Sequence, residues 1–146
     1  MARIKLTLPE QFPFVTTIPV RITDLNYGAH VGNDTILSLI HEARVQYLQS
    51  LGYEELNIAG VGLIMSDVAI EFKRELFYGT FLKAHVAAGD FNRIGFELYY
   101  KLSIDTNGSE MLIAVAKTGM VCYDYAAKKV VAVPEEAAKK LQQRST

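Results

Sequence analysis

The chain has 146 residues, half of them hydrophobic and 21% charged, with 15 basic against 16 acidic side chains and a net charge of −1. That size predicts a single domain with a core large enough to need no staples, and the balanced charge gives no electrostatic footprint for nucleic acid or an anionic membrane. The lone cysteine, Cys122, excludes an internal disulfide and a thiolate metal cluster, and no apolar run reaches the roughly 18 residues of a membrane span.

The opening stretch MARIKLTLPEQFPF carries no apolar signal core and is interrupted by Pro9 and Pro13, so a soluble, cytoplasmic protein is expected. The first strand is predicted over Thr16–Thr23, with Pro19 marking it as an edge or a bulge. The loop DLNYGAHVGND follows, residues 24–34, with an acid, a histidine and two glycines. Asn33 or Asp34 can cap a helix there, since either side chain accepts free N–H groups of a first turn. The helix is predicted to run to about Leu51, with Ile36, Leu37, Leu39, Ile40, Ala43, Tyr47, Leu48 and Leu51 forming a broad apolar stripe at helical spacing. His41, Glu42, Gln46 and Gln49 take the opposite, solvated side, and Gly52 ends the helix.

After Gly62 the period changes to two. LIMSDVAIEFKREL reads as a strand with Val68, Ile70 and Phe72 on one face, broken by Gly79. FLKAHVAAGDF and FELYYKLSID are the next two strands, and His85 is expected to face solvent from the first of them. Asn107-Gly108 is the strongest short turn signal in the chain, and it joins the second of these to MLIAVAKTGMVCYDY. A short strand KKVVAV precedes a C-terminal helix opened by Pro134-Glu135-Glu136, proline at its first position and acids in its first turn. Cys122 lies within a strand without a basic neighbour and is read as packing, and no histidine–acid spacing suits a metal.

One long helix followed by a run of antiparallel strands is an α+β layout, a sheet of about five to six strands curled around the helix. Sheet edges and apolar strand faces left over from such a chain predict a second copy as their cover.

The residues that carry a resemblance are Asp24 with His30, Val31 and Asn33, the Glu42-Ala43-Arg44 of the helix, FKREL with Gly79, and the final strand running into Pro134. In this order, over roughly Val15 to Glu136, the chain resembles the hot-dog-fold acyl-CoA thioesterases of the 4-hydroxybenzoyl-CoA thioesterase type. The resemblance implies hydrolysis of an acyl-CoA to free acid and coenzyme A, with coenzyme A part of the substrate and no other cofactor. It also implies a homo-oligomer, a dimer or a dimer of dimers. Asp24 is then the catalytic carboxylate, as nucleophile or as base to a water. The start of the following helix polarises the thioester carbonyl through backbone N–H groups near Val31, while His30 and Asn33 orient the loop, the water or the thioester. A helix N-terminus is suited to developing negative charge on the carbonyl oxygen. Lys73 and Arg74 are the candidates for the coenzyme A phosphates.

The chain departs from the family at Ala29, where glycine is usual before the histidine, at Gly32, at Asn26, which stands for the second acid of the loop, and at Glu75, where proline is common. Two other readings use the same fold: an enoyl-CoA hydratase or dehydratase, whose histidine comes one residue sooner after a proline missing here, and a non-enzymatic acyl-CoA-binding protein.

Overall fold

The computed structural model describes residues 3–143. In chain order it forms β1 (Phe14–Pro19), a single 3₁₀ turn (Ile22–Asp24), α1 (Asn33–Ser50), β2 (Gly62–Phe72), β3 (Phe81–Gly89), β4 (Gly95–Thr106), β5 (Ser109–Asp124), β6 (Lys129–Val130) and α2 (Glu135–Gln142). The strands make one antiparallel sheet in the order β1-β3-β4-β5-β2, with β6 paired to the end of β5. The expected α+β, hot-dog arrangement is therefore present.

The sheet's inner face follows from register. Ala84 faces Leu102, Val86 faces Tyr100, Leu102 faces Ala114 and Tyr100 faces Ala116, and all are fully buried. Helix α1 lays Ile36, Leu39, Ile40, Ala43, Tyr47 and Leu48 into that face, and these side chains share one core with it. Small alanines on β3 and β5 let the helix approach, while Leu82, Leu98 and Leu102 fill the space between. Asn107 and Gly108 both take positive φ, 52° and 80°, in the two-residue turn between β4 and β5. Gly52, at φ 85°, lies just beyond the end of α1 as its position after the apolar stripe requires.

Several elements differ from their sequence signals. β1 starts earlier and ends at Pro19 rather than Thr23; Pro19 stands on the edge strand with the Val20 N–H still donating to the Thr80 carbonyl at 3.0 Å, and the 3₁₀ turn follows. β2 ends at Phe72, since the N–H groups of Lys73 and Arg74 both turn to the Ile113 carbonyl, at 2.8 and 3.1 Å. Pro134 is the N-cap of α2 rather than its first residue. His85 does not face open solvent: its side chain is 17% exposed, with the Phe12 ring of the N-terminal arm against it at 5.9 Å between centroids. Arg44, on the apolar side of α1, is buried at 4% exposure.

Val68, Ile70 and Phe72 do share a face, opposite Thr118, Ala116 and Ala114 respectively. That part of the inner face lies away from β1 and β3, the strands that α1 packs against. Val68 stays 38% and Phe72 47% exposed, beside the exposed Met65, along an edge strand with no strand paired to its outer side among the described residues.

Candidate active site

The loop ahead of α1 is stitched together locally before it meets the rest of the protein. Asp24 accepts the Arg21 N–H at Oδ2 (2.8 Å), while its own N–H donates to the Arg21 carbonyl (2.9 Å), so the acid closes the 3₁₀ turn on itself. Asn26 then opens a tight reversal. Its N–H donates to the His30 carbonyl (2.9 Å), and its side-chain Oδ1 accepts the Gly28 N–H (2.8 Å). Ala29 pays for this path with φ 65°, in the left-handed region that glycine occupies more cheaply.

Long-range contacts fix where the loop lies. His30 bridges to Phe77, and the Val31 N–H donates to the Leu76 carbonyl at 2.8 Å. The segment after β2, held by its two bonds to Ile113, is thereby drawn against the start of α1. A cavity of about 280 Å³ opens between them. Its polar lining is His30, Asn33, Lys73, Arg74 and Glu75, and its apolar lining includes Ile36, Phe72, Leu76 and Ile113.

At the helix end of this cavity the N-cap is Gly32, which has no side chain to occupy the first-turn N–H groups. A Cβ there would come within 2.7 Å of the Asp34 carboxylate and 3.6 Å of the Asn26 amide, so glycine leaves room for those two side chains beside the helix start. The first helical bond runs from the Ile36 N–H to the Gly32 carbonyl (3.1 Å). The amides of Asn33, Asp34 and Thr35 are those that a first turn leaves without intrahelical acceptors. The Val31 N–H is itself taken by the Leu76 carbonyl, so the free N–H groups near it at the helix start are those two to four residues further on.

His30 Nδ1 lies 3.2 Å from the Val31 carbonyl oxygen, which only accepts, so Nδ1 carries the proton and Nε2 presents a lone pair in the neutral ring. Nε2 is 3.9 Å from Glu75 Oε1. Phe77 packs edge-on against the ring at 6.4 Å between centroids.

The structure brings His30, Val31, Asn33, Lys73 and Arg74 to one cavity and puts Asp24 in another. Asp24, 5% exposed, lines a neighbouring space of about 280 Å³ with Arg21, Ser38, Leu39, Glu42 and Gln46. There Glu42 accepts from Gln46 Nε2 at 2.7 Å on the exposed side of α1. Lys73 pairs with Glu71 at 3.3 Å, whereas Arg74 has no ion-pair partner among the described residues. Two residues of the site were not candidates from sequence. Glu75 and Asn26 showed only as departures from a family pattern, and nothing in their local sequence says that one meets His30 and the other the helix start.

Set against known proteins, residues 20–141 match the family described as the thioesterase-like superfamily. The chain is 31% identical over 115 residues, 75% of either chain, to the 1,4-dihydroxy-2-naphthoyl-CoA hydrolase of Microcystis aeruginosa. Among solved structures, the 4-hydroxybenzoyl-CoA thioesterase of Pseudomonas sp. strain CBS-3 superimposes with a TM-score of 0.77 at 15% identity, over 89% of this chain and 99% of that one. The DHNA-CoA thioesterase of Staphylococcus aureus gives a TM-score of 0.76 at 18% identity, over 88% of this chain and 89% of that one. At those identities the two structures speak for the fold.

Proposed function

We propose that this chain, which belongs to the thioesterase-like superfamily, hydrolyses an aromatic acyl-CoA to the free acid and coenzyme A. It is an acyl-CoA thioesterase of the hot-dog fold. The observation that carries the reading is the uncapped N-terminus of α1 opening into a cavity that also holds His30, Asn33 and Arg74. A thioester carbonyl placed there develops its negative oxygen against the first-turn N–H groups. One such donor is worth about 3–4 kcal/mol of transition-state stabilisation in other acyl-transfer sites. Arg74 at the rim is placed for a phosphate of coenzyme A, with Lys73 in support. Asp24, closing its own turn, holds the loop that presents His30.

The aromatic acyl group is supported by the names of the hydrolase and thioesterase relatives, which specify naphthoyl and hydroxybenzoyl thioesters. Ile36, Phe72, Leu76 and Ile113 offer an apolar lining for a ring. Phe72 belongs both to this lining and to the exposed edge formed with Met65 and Val68, so a second copy laid on β2 would cover that edge and close the cavity. We therefore read the working form as a homodimer or a dimer of dimers. The buried free thiol of Cys122 suits the cytoplasm.

Thiol release from benzoyl-, naphthoyl-, short-chain and long-chain acyl-CoAs, followed with a thiol-reactive dye, tests the activity and its acyl preference together. Highest kcat/KM on the aromatic thioesters is expected, and preference for long alkyl chains would reject the aromatic class. Loss of conjugated absorbance from an enoyl-CoA without thiol release would point instead to a hydratase. Light scattering at micromolar concentration is expected to give a multiple of 16.3 kDa.

A further inference from the structure

We propose that Glu75 is the base that activates the hydrolytic water, working beside His30 at the start of α1. The inference rests on the thioesterase reading above and names a catalytic residue that the loop motif does not contain. Among the described residues Glu75 supplies the one carboxylate in the lining of this cavity, while Asp34, the other acid at the helix start, lies against Gly32 in the first turn of α1. Asp24 and Glu42 border the neighbouring cavity, with Asp24 engaged by the Arg21 N–H and Glu42 by Gln46.

Backbone pairings bring the two residues side by side, and the Glu75 side chain, 63% exposed, reaches His30 from the rim of the cavity. His30 bridges to Phe77, Val31 donates to Leu76, and Leu76, 1% exposed, anchors the residue next to Glu75 in the core. The imidazole is fixed further by its Nδ1 contact with the Val31 carbonyl and by the edge of Phe77. Its Nε2 lone pair and the Glu75 carboxylate are then two acceptors 3.9 Å apart, both bordering the same space. A water at a normal hydrogen-bond distance of about 2.8 Å from each can donate one hydrogen to each. Its oxygen lone pair is left free to face a carbonyl seated at the helix start.

In the reaction the water oxygen bonds to the thioester carbon while its proton passes to the Glu75 carboxylate. The carbonyl oxygen gathers negative charge against the first-turn N–H groups. As the tetrahedral species collapses, the carbon–sulfur bond breaks and the proton returns from Glu75 to the departing thiolate. The products are the carboxylic acid and the coenzyme A thiol, with no covalent enzyme intermediate and no further reactant. Proline, common at this position in the resembling family, has no group for this step. The departure to Glu75 accompanies the departure to Asn26, which removes the second acid of the loop.

The test begins with the wild-type enzyme and its best acyl-CoA. Glu75→Gln keeps the size of the side chain and loses proton acceptance, so kcat is expected to fall at least about a hundredfold, with KM and the melting temperature nearly unchanged. Glu75→Ala is expected to regain rate as formate is added, since a small carboxylate can fill the space, whereas a residue needed only for folding would show no such rescue. A Glu75→Gln enzyme that folds and turns over at near wild-type rate overturns the proposal while leaving the thioesterase reading intact. A wild-type protein that releases no thiol from any acyl-CoA sinks that reading, and the role of Glu75 with it.

Discussion

Arg44 Nη1 lies 3.4 Å from the Tyr100 hydroxyl in the middle of the fold, where α1 meets β4. An arginine only donates, so the Tyr100 oxygen accepts there and its hydroxyl hydrogen goes to Thr118 Oγ1, 2.8 Å away. Burial holds the Tyr100 phenol above its ordinary pKa, which keeps that hydrogen in place. On its other side Arg44 Nε sits 3.4 Å from Glu55 Oε2, and His41 Nε2 reaches Glu55 Oε1 at 2.6 Å. This chain of polar groups ties the helix to the sheet through a charge that α1 carries on its apolar side.

Arg44→Met should therefore lower stability although it adds no polar atom. Breaking a fully buried pair by removing one partner costs about 3–5 kcal/mol. Glu55 keeps a 23% exposed side chain and can rehydrate, so the expected loss is nearer about 2 kcal/mol. Urea unfolding measures it. A midpoint equal to the wild type's would mean that the methionine repacks without penalty.

Ala29 should improve on replacement by glycine. Its φ of 65° is strained for an alanine by about 1–2 kcal/mol. Glycine's extra freedom in the unfolded chain takes back about 0.5–1 kcal/mol. Ala29→Gly is expected to be more stable by about 0.5 kcal/mol on that balance, with kcat unchanged. A less stable variant in urea would show that the methyl group contributes packing that the strain argument leaves out.

The parts legible in the sequence were those set by local pattern. The stripe from Ile36 to Leu48 announced α1, and Asn107-Gly108 announced its turn, because both signals need only neighbours. His85 reads as solvent-facing from its strand alone because the ring that covers it, Phe12, belongs to an arm whose path no periodicity records. The burial of Arg44 is not legible in its helix motif, because a charge on an apolar stripe is explained by Tyr100 and Glu55, which lie outside α1. Asp24 was visible as the acid of the loop, yet the direction of its carboxylate depends on the Arg21 N–H. The approach of Glu75 to His30 depends on the Val31–Leu76 and His30–Phe77 pairings, which join segments far apart in the chain.

His85 gives the protein a pH response. Burial pushes its imidazole below the ordinary value; Lys101 and Lys83 act in the same direction, and Glu110 and Asp105 oppose. The unfolded chain then binds the proton more readily than the folded one. The contribution to stability is fully present above the unfolded value, about 6.5, and is lost as pH falls from there through the folded value. His85→Phe keeps an aromatic ring for Phe12 and removes the titration. Urea unfolding at about one pH unit above and about one below the ordinary histidine value of about 6.5 should show a smaller drop for the variant than for the wild type. Equal drops would place the pH response elsewhere.

Arg74→Ala should weaken binding of the nucleotide end without touching the chemistry. A charge-assisted hydrogen bond contributes about 1.5–3 kcal/mol, and at an exposed rim the lower end applies, so KM for an acyl-CoA should rise about tenfold. Lys73→Ala should do less, since Glu71 already holds Lys73 at 3.3 Å. A short thioester lacking the nucleotide should be hydrolysed equally by all three proteins. Equal losses on both substrates would reject a phosphate role for Arg74.

Asp24 provides the sharpest division between the motif and the geometry. Its carboxylate accepts the Arg21 N–H at 2.8 Å and the Arg21 guanidinium at 3.4 Å, the latter on a side chain 70% exposed and therefore weak. An asparagine keeps the oxygen that matters for the turn. Asp24→Asn should hold its stability within about 0.5 kcal/mol, whereas Asp24→Ala, losing the cap, should cost about 1 kcal/mol. If Asp24 only holds the loop, kcat of Asp24→Asn stays within a few-fold of wild type while Glu75→Gln collapses. If Asp24 were the nucleophile or base, the same asparagine would cost at least about a hundredfold in kcat with the fold intact. Measuring both variants on one acyl-CoA decides which carboxylate meets the thioester, because each outcome is the reverse of the other and neither requires the protein to unfold.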